Sequence, residues 1–207
     1  PSAHRSRRGL LVIGESMIDP LLARRIALVA FDVDGTLTDN GVYIGDSNGA
    51  QADERIELKR FDIQDGLGIV MLRRAGIAIA FISARESSAT ALRAAELGIT
   101  HLRQGRGLRK VPVLRALSEE LAIPFDAMAF VGDDLADIAA MRQVAIGAAP
   151  ANAVAEVKAV ATVHLTRSGG RGAAREFIEL LLQARGEWDS LVEQYVADSA
   201  QLEAHAS

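Results

Sequence analysis

Cysteine is absent from the 207 residues, which excludes disulfides, thiolate zinc sites and cysteine nucleophiles and fits a reducing compartment. Aromatic residues make up only 4%, so Ala, Val, Leu and Ile must build the core within a hydrophobic fraction of 49%. Neither sign of charge dominates. The net of −4 argues against a general nucleic-acid or membrane-surface binder, although a basic cluster at 103–110 suits a small anion. No apolar run is long enough to span a bilayer. Residues 9–13 are too short for a signal-peptide core and are followed by Glu15, so the expected setting is the cytoplasm. The four histidines, His4, His101, His164 and His205, show no metal-ligand spacing, and there is neither a P-loop nor a Gly-x-Ser-x-Gly.

What is present is an alternation. Strand patterns at 26–32, 77–82, 99–102, 127–131, 144–146 and 162–165 alternate with helical ones at 66–75, 86–97, 111–121, 135–142, 153–159 and 173–184. Gly76 and Gly98 stop two of these helices, and Pro112 falls in a first turn, where proline is tolerated. Units of this length predict an α/β fold, a doubly wound parallel sheet covered on both faces. Segments 42–44 and 56–61 predict a β-hairpin flap. The chain between 39 and 66 is too short for a helical domain, and 85–110 is used up by one helix–strand unit, so no cap domain is expected. Residues 1–21 read as an amino-terminal extension, 22–185 as one domain and 186–207 as a polar tail, helical in part.

Chemistry-bearing residues fall at strand ends. Phe31-Asp32-Val33-Asp34-Gly35-Thr36-Leu37-Thr38 puts two carboxylates just past an apolar strand. Ser83-Ala84-Arg85 follows the second strand, Arg109-Lys110 opens a helix, and Gly132-Asp133-Asp134-Leu135-Ala136-Asp137 follows 127–131. Taken singly, each has a plain alternative: an Asx turn, a helix cap, a solvated basic face, a loop. As an ordered set at one sheet edge they gather acids, a hydroxyl and cations, which suits metal-assisted phosphoryl transfer.

With these motifs the chain resembles the haloacid dehalogenase superfamily, and more narrowly its capless 3-deoxy-D-manno-octulosonate 8-phosphate phosphatases, over residues 22–185. Phe61-Asp62-Ile63-Gln64-Asp65-Gly66-Leu67-Gly68-Ile69, Leu97–Gly105, Val131-Gly132-Asp133-Asp134 and Gly169-Gly170-Arg171-Gly172 carry that narrower resemblance. Three positions depart from the family pattern: Ser83 and Ala84, where Ser83-Ala84-Arg85 stands for threonine-glycine-arginine, and Gln64, which stands for an arginine. The family's spacing selects Arg109 as the phosphate-binding cation, but the register downstream selects Lys110, whose compact ammonium suits a point contact.

The resemblance implies a Mg²⁺-dependent phosphatase of lipopolysaccharide biosynthesis acting on a small sugar-acid phosphate. It gives Asp32 as nucleophile, Asp34 as acid and base, Ser83 and Lys110 on the phosphoryl oxygens, and Asp32, the Asp34 carbonyl and Asp133 on the metal. Asp134 or Asp137 would orient Lys110 or a water ligand of the metal. Substrate contacts are implied at Gly66, Arg85 and Arg171. Arg171 and Arg175 could also face solvent or pair with Glu176 and Glu179. A homotetramer is implied, with flaps and tails closing neighbouring sites. Alternatives are a nonulosonate 9-phosphate or another small phosphate, a macromolecular phosphate, and a non-catalytic regulatory module.

Overall fold

A computed structural model describes residues 18–46 and 55–206; residues 1–17, 47–54 and 207 lie outside the described residues. Helix α1 (Pro20–Arg25) leads into β1 (Leu28–Asp32), followed by the hairpin β2 (Tyr43–Asp46) and β3 (Arg55–Leu58). Then come α2 (Ile63–Arg74), β4 (Ala78–Ser83), α3 (Ser88–Glu96), β5 (His101–Gln104), α4 (Lys110–Leu121) and β6 (Met128–Val131). The chain closes with α5 (Ile138–Met141), β7 (Ile146–Ala149), α6 (Ala155–Lys158), β8 (Val163–His164), α7 (Ala173–Arg185) and α8 (Trp188–Ala206).

Six strands form one parallel sheet in the order β5-β4-β1-β6-β7-β8, with the antiparallel hairpin β2–β3 standing apart. Strand β1 is buried along its whole length, as a central parallel strand covered on both faces must be. Its residues alternate between two cores. Val29 and Phe31 face a layer containing α1, α2, α3, α7 and α8, where Phe31 meets Phe81 and Phe177 edge-on at 6.4 Å. Leu28 and Ala30 face Leu114 and Leu117 of α4, with α5 and α6 beside them. This is the doubly wound sheet that the alternation predicts.

Boundaries differ where caps act. Helix α1 straddles the expected boundary between 21 and 22: Asp19 accepts from Leu21 N at 2.8 Å and Pro20 takes the first position, a strong start signal. Helix α2 begins three residues before the expected 66 because Asp62 caps Gln64 N at 2.8 Å. Strand β7 runs Ile146–Ala149, not 144–146. Its Gly-Ala-Ala stretch has little strand propensity, and pairing with β6 fixes it. Segment 135–142 splits into a 3₁₀ turn, Leu135–Asp137, and short α5.

The tail is part of the packed body. Leu191 is buried, Arg175 stacks on Trp188 at 4.9 Å, and Arg74 stacks on Tyr195 at 5.1 Å and pairs with Asp198 at 2.7 Å. Asp65 on α2 ties the start of α7 to the sheet layer, accepting from Gly172 N (3.3 Å) and Arg175 N (2.8 Å). Burial raises its carboxyl to about 6 despite those donors.

Candidate active site

Strands β1 and β6 are neighbours although β4 and β5 intervene in sequence, so the strand order reverses between them. The crevice beyond such a reversal is where open α/β sheets hold ligands. Asp32 closes β1, and Gly132-Asp133-Asp134 directly follows β6. The loop after Asp32 folds back on one carbonyl: Leu37 N and Thr38 N both donate to Val33 O at 3.0 Å. Gly35 makes this turn at φ +91, where a side chain would be strained, and a Cβ there would lie 2.0 Å from Asp133 Oδ2.

The acids meet around one lysine. Oxygens of Asp32, Asp133 and Asp137 lie within 4.8 Å of one another, all three buried. Lys110 Nζ contacts Asp32 Oδ1 at 2.5 Å and also pairs with Asp137. Asp137 has both oxygens engaged, one by Lys110 and the other by Asp133 N (3.0 Å) and Asp134 N (3.1 Å). It therefore positions its neighbours, leaving Asp32 and Asp133 to face a cation. Thr36 donates to Asp133 Oδ1 at 3.3 Å.

Three carboxylates against one ammonium leave an excess of two negative charges in a dry place. The strain shows in the acidities. Burial raises Asp133 to about 7, with the neighbouring Asp137 adding to it. Burial also holds Asp32 well above its ordinary value; Lys110 opposes this, while Asp137 and Asp133 reinforce it. Burial works against the charge on Lys110, but Asp32 and Asp137 outweigh it and raise the ammonium above the usual lysine value. An all-oxygen donor set with this charge excess fits a hard divalent cation such as Mg²⁺.

Asp34 belongs to a second group. Ser83 donates to its Oδ2 at 3.2 Å, and Arg85 N donates to Ser83 Oγ at 3.1 Å. Lys59 Nζ lies 2.6 Å from Asp34 Oδ1, an ion pair without hydrogen-bond alignment. Arg85 pairs with Glu57 at 3.0 Å. Beside them an open polar cleft of about 420 Å³ is lined by Glu57, Ala84, Arg85, Glu86, Arg106 and Gly107.

The structure thus brings Asp32, Asp34, Ser83, Lys110 and Asp133 to one edge, with Arg85 on the adjoining cleft. Arg109 is exposed at the N-cap of α4 while Lys110 is buried. Arg171 is 64% exposed, with Asp39 at 4.0 Å. Arg175 takes the plain alternative, pairing with Glu179 at 2.5 Å. Gly66 has a packing role of its own. It sits in the contact between α2 and α3, where a Cβ would lie 2.3 Å from the Arg93 guanidinium, so packing explains that glycine. Sequence reasoning missed Lys59, which follows a hairpin strand in a charged stretch and looks solvated. It also missed Asn152, which accepts from Gly169 N (2.6 Å) and donates to Gly35 O (2.8 Å), bracing the turn beside Asp133.

A parallel sheet with this acid cluster at its reversal defines a haloacid dehalogenase-like hydrolase, and residues 105–176 match that family directly. The chain belongs to the 3-deoxy-D-manno-octulosonate 8-phosphate phosphatase family within it. It is 40% identical over 167 residues to the phosphatase KdsC of Escherichia coli K12, covering 81% of this chain and 85% of that protein. The crystal structure of the Moraxella catarrhalis phosphatase, in complex with magnesium ion, phosphate ion and KDO, superposes with a TM-score of 0.78 at 36% identity, covering 85% of this chain and 97% of that one. The cobalt-bound Haemophilus influenzae phosphatase gives 0.71 at 34% identity, covering 80% and 92%.

Proposed function

We propose that this protein is a Mg²⁺-dependent phosphatase of small phosphorylated sugar acids, with 3-deoxy-D-manno-octulosonate 8-phosphate as its substrate. The observation that carries the reading is the buried cluster of Asp32, Asp133 and Asp137 around Lys110 at the strand-order reversal. The cytoplasm is the compartment this reading assumes.

Asp32, the Asp34 carbonyl and Asp133 would hold the cation, which supplies charge neutralisation to the phosphoryl group when bound. Asp32 attacks phosphorus, forming an O–P bond as the bond to the sugar oxygen breaks. Asp34 gives its proton to the departing oxygen. It then takes a proton from the water that attacks the aspartyl phosphate, releasing inorganic phosphate and restoring Asp32. Ser83 and Lys110 hold phosphoryl oxygens, with Asp137 fixing the lysine. Arg85 and Arg171 are the cations for the substrate carboxylate.

An uncapped site needs another element to enclose a small substrate. The pairing of Tyr43 with Leu58 and Gly45 with Ile56 puts Tyr43, Ile56 and Leu58 on one hairpin face, 66%, 47% and 60% exposed. A two-stranded ribbon is marginal alone, so this face suits a second copy of the chain, and we assign the homotetramer to it. Light scattering on the wild type and on Leu58→Asp tests the assignment; a wild-type monomer with full activity refutes it.

Phosphate release from a panel of sugar acid phosphates, hexose phosphates, nucleotides and phosphopeptides, with Mg²⁺ and with chelator, tests the function. The octulosonate 8-phosphate should be turned over fastest and chelator should abolish release. Preference for a nonulosonate 9-phosphate would reassign the substrate. No metal-dependent release from any sugar acid phosphate would overturn the reading.

A further inference from the structure

Lys59 is a buried cation that the mechanism above does not use. It follows β3 directly, so the hairpin carries it, yet its side chain is fully buried. Its ammonium lies 2.6 Å from Asp34 Oδ1 and 3.7 Å from Glu57 Oε1, and it donates to Thr90 Oγ1 on α3 at 3.3 Å. Glu57 in turn holds Arg85 at the cleft. Burying an ammonium is costly unless it is paired, and a hairpin anchor needs only apolar bulk there. The charge is aimed instead at the one carboxylate that must meet the leaving oxygen.

We propose that Lys59 is a positioning residue for catalysis: it sets the direction of the Asp34 carboxylate, and through it the seating of the hairpin governs proton transfer at the site. With Ser83 on Oδ2 and Lys59 beside Oδ1, Asp34 is held from two sides by two separate elements, β4 and the hairpin. Lys59 touches no reacting atom in this scheme. Asp34 Oδ1 is buried and has no hydrogen-bond partner among the described residues, so the Lys59 ammonium is the charge that holds that oxygen in place. Mis-aiming an acid–base group by about 1 Å costs on the order of 10²-fold in rate.

The inference rests on the phosphatase reading, and the test separates the two. Lys59→Met should lower kcat on an alkyl phosphate about 10- to 100-fold with KM changed less than about threefold. On p-nitrophenyl phosphate, whose leaving group needs no proton, it should keep a burst of one nitrophenolate per site followed by slowed turnover, because water activation still needs Asp34. In an Asp34→Asn background the same substitution should change the burst and the steady state less than about twofold, since coupled residues are not additive. Lys59→Gln, which keeps a donor without the charge, should show the same pattern and serves if Lys59→Met fails to fold. Wild-type rates with only a lowered Tm, a loss confined to KM, or a full further loss in the Asp34→Asn background would each overturn the inference alone. A wild type inactive on both phosphates would overturn the phosphatase reading and this inference with it.

Discussion

Removing the cation should destabilise this protein by an amount that depends on pH, and Asp133 sets the scale. Its carboxyl rises from the ordinary 3.8 to about 7 through burial and the nearby Asp137. The unfolded chain loses that proton near 3.8, so between those values the folded state binds one proton more. Stability from this group is then present at low pH and falls as pH rises towards 7. A span of about 3 pH units is worth at most about 4 kcal/mol. A divalent cation takes the proton's place. At one hundred times its Kd at pH 7.5 it contributes about 2.7 kcal/mol, a Tm rise of roughly 5–11 °C for a chain of this size. At pH 5.5 the cation must displace the proton, its affinity is about 25-fold lower, and the same concentration raises Tm by only about 2–4 °C. Calorimetry in MgCl₂ and in chelator at the two pH values reads this directly. Equal Tm shifts at both would refute the reasoning, and Asp133→Asn should remove the cation response and flatten the metal-free slope.

Gly35→Ala should strain a backbone at φ +91 by about 1–2 kcal/mol and also drive a methyl against Asp133 Oδ2. Its Mg²⁺-induced Tm shift should shrink along with its stability; an unchanged cation response would refute the contact. Asp32→Asn should abolish turnover while circular dichroism stays that of the wild type, and retained activity in the purified variant would count against Asp32 as nucleophile.

The sheet was legible because its signals are local. An apolar run such as 28–31 needs cover on both faces, and glycines at 76 and 98 end helices without reference to the rest of the chain. Three of the four motifs were legible for the same reason: each closes its own strand, the fourth opens a helix, and parallel winding does the gathering. What the sequence concealed depends on distant partners. Lys59 sits in Glu57-Leu58-Lys59-Arg60, which looks like a solvated hairpin edge until Asp34 and Thr90 are seen to receive it. The choice between Arg109 and Lys110 turns on one step of helix register, and only the packed start of α4 separates an exposed guanidinium from a buried ammonium. A glycine beside Asp65 suits a close substrate approach as well as it suits Arg93, so the sequence alone does not separate the two reasons for Gly66.

The glycines around the acids say which parts of this site can move. A Cβ at 169 would lie 1.9 Å from the carbonyl of Gly35, one at 170 would lie 2.4 Å from Asp39 N, and one at 132 would lie 2.4 Å from Asp137. These loops meet backbone to backbone, with Gly170 N donating to Thr36 O at 3.2 Å. Contacts that close leave no rotamer to adjust, so Asp32 and Asp133 are fixed by turns and hydrogen bonds, not by side-chain packing. The hairpin is different. Among the described residues it shares no sheet with β1, and one bridge between Thr38 and Phe61 stands beside its base. Its apolar face is bare, and it delivers Lys59 to Asp34 and Glu57 to Arg85. On the proposed roles, the half of the site that would hold a cation is braced backbone to backbone, while the half that would handle a proton and recognise a substrate hangs on the hairpin. If a second copy covers that face, Leu58→Asp should lower kcat while the Mg²⁺ Kd read by calorimetry stays that of the wild type; a matching loss of Mg²⁺ affinity would refute the division.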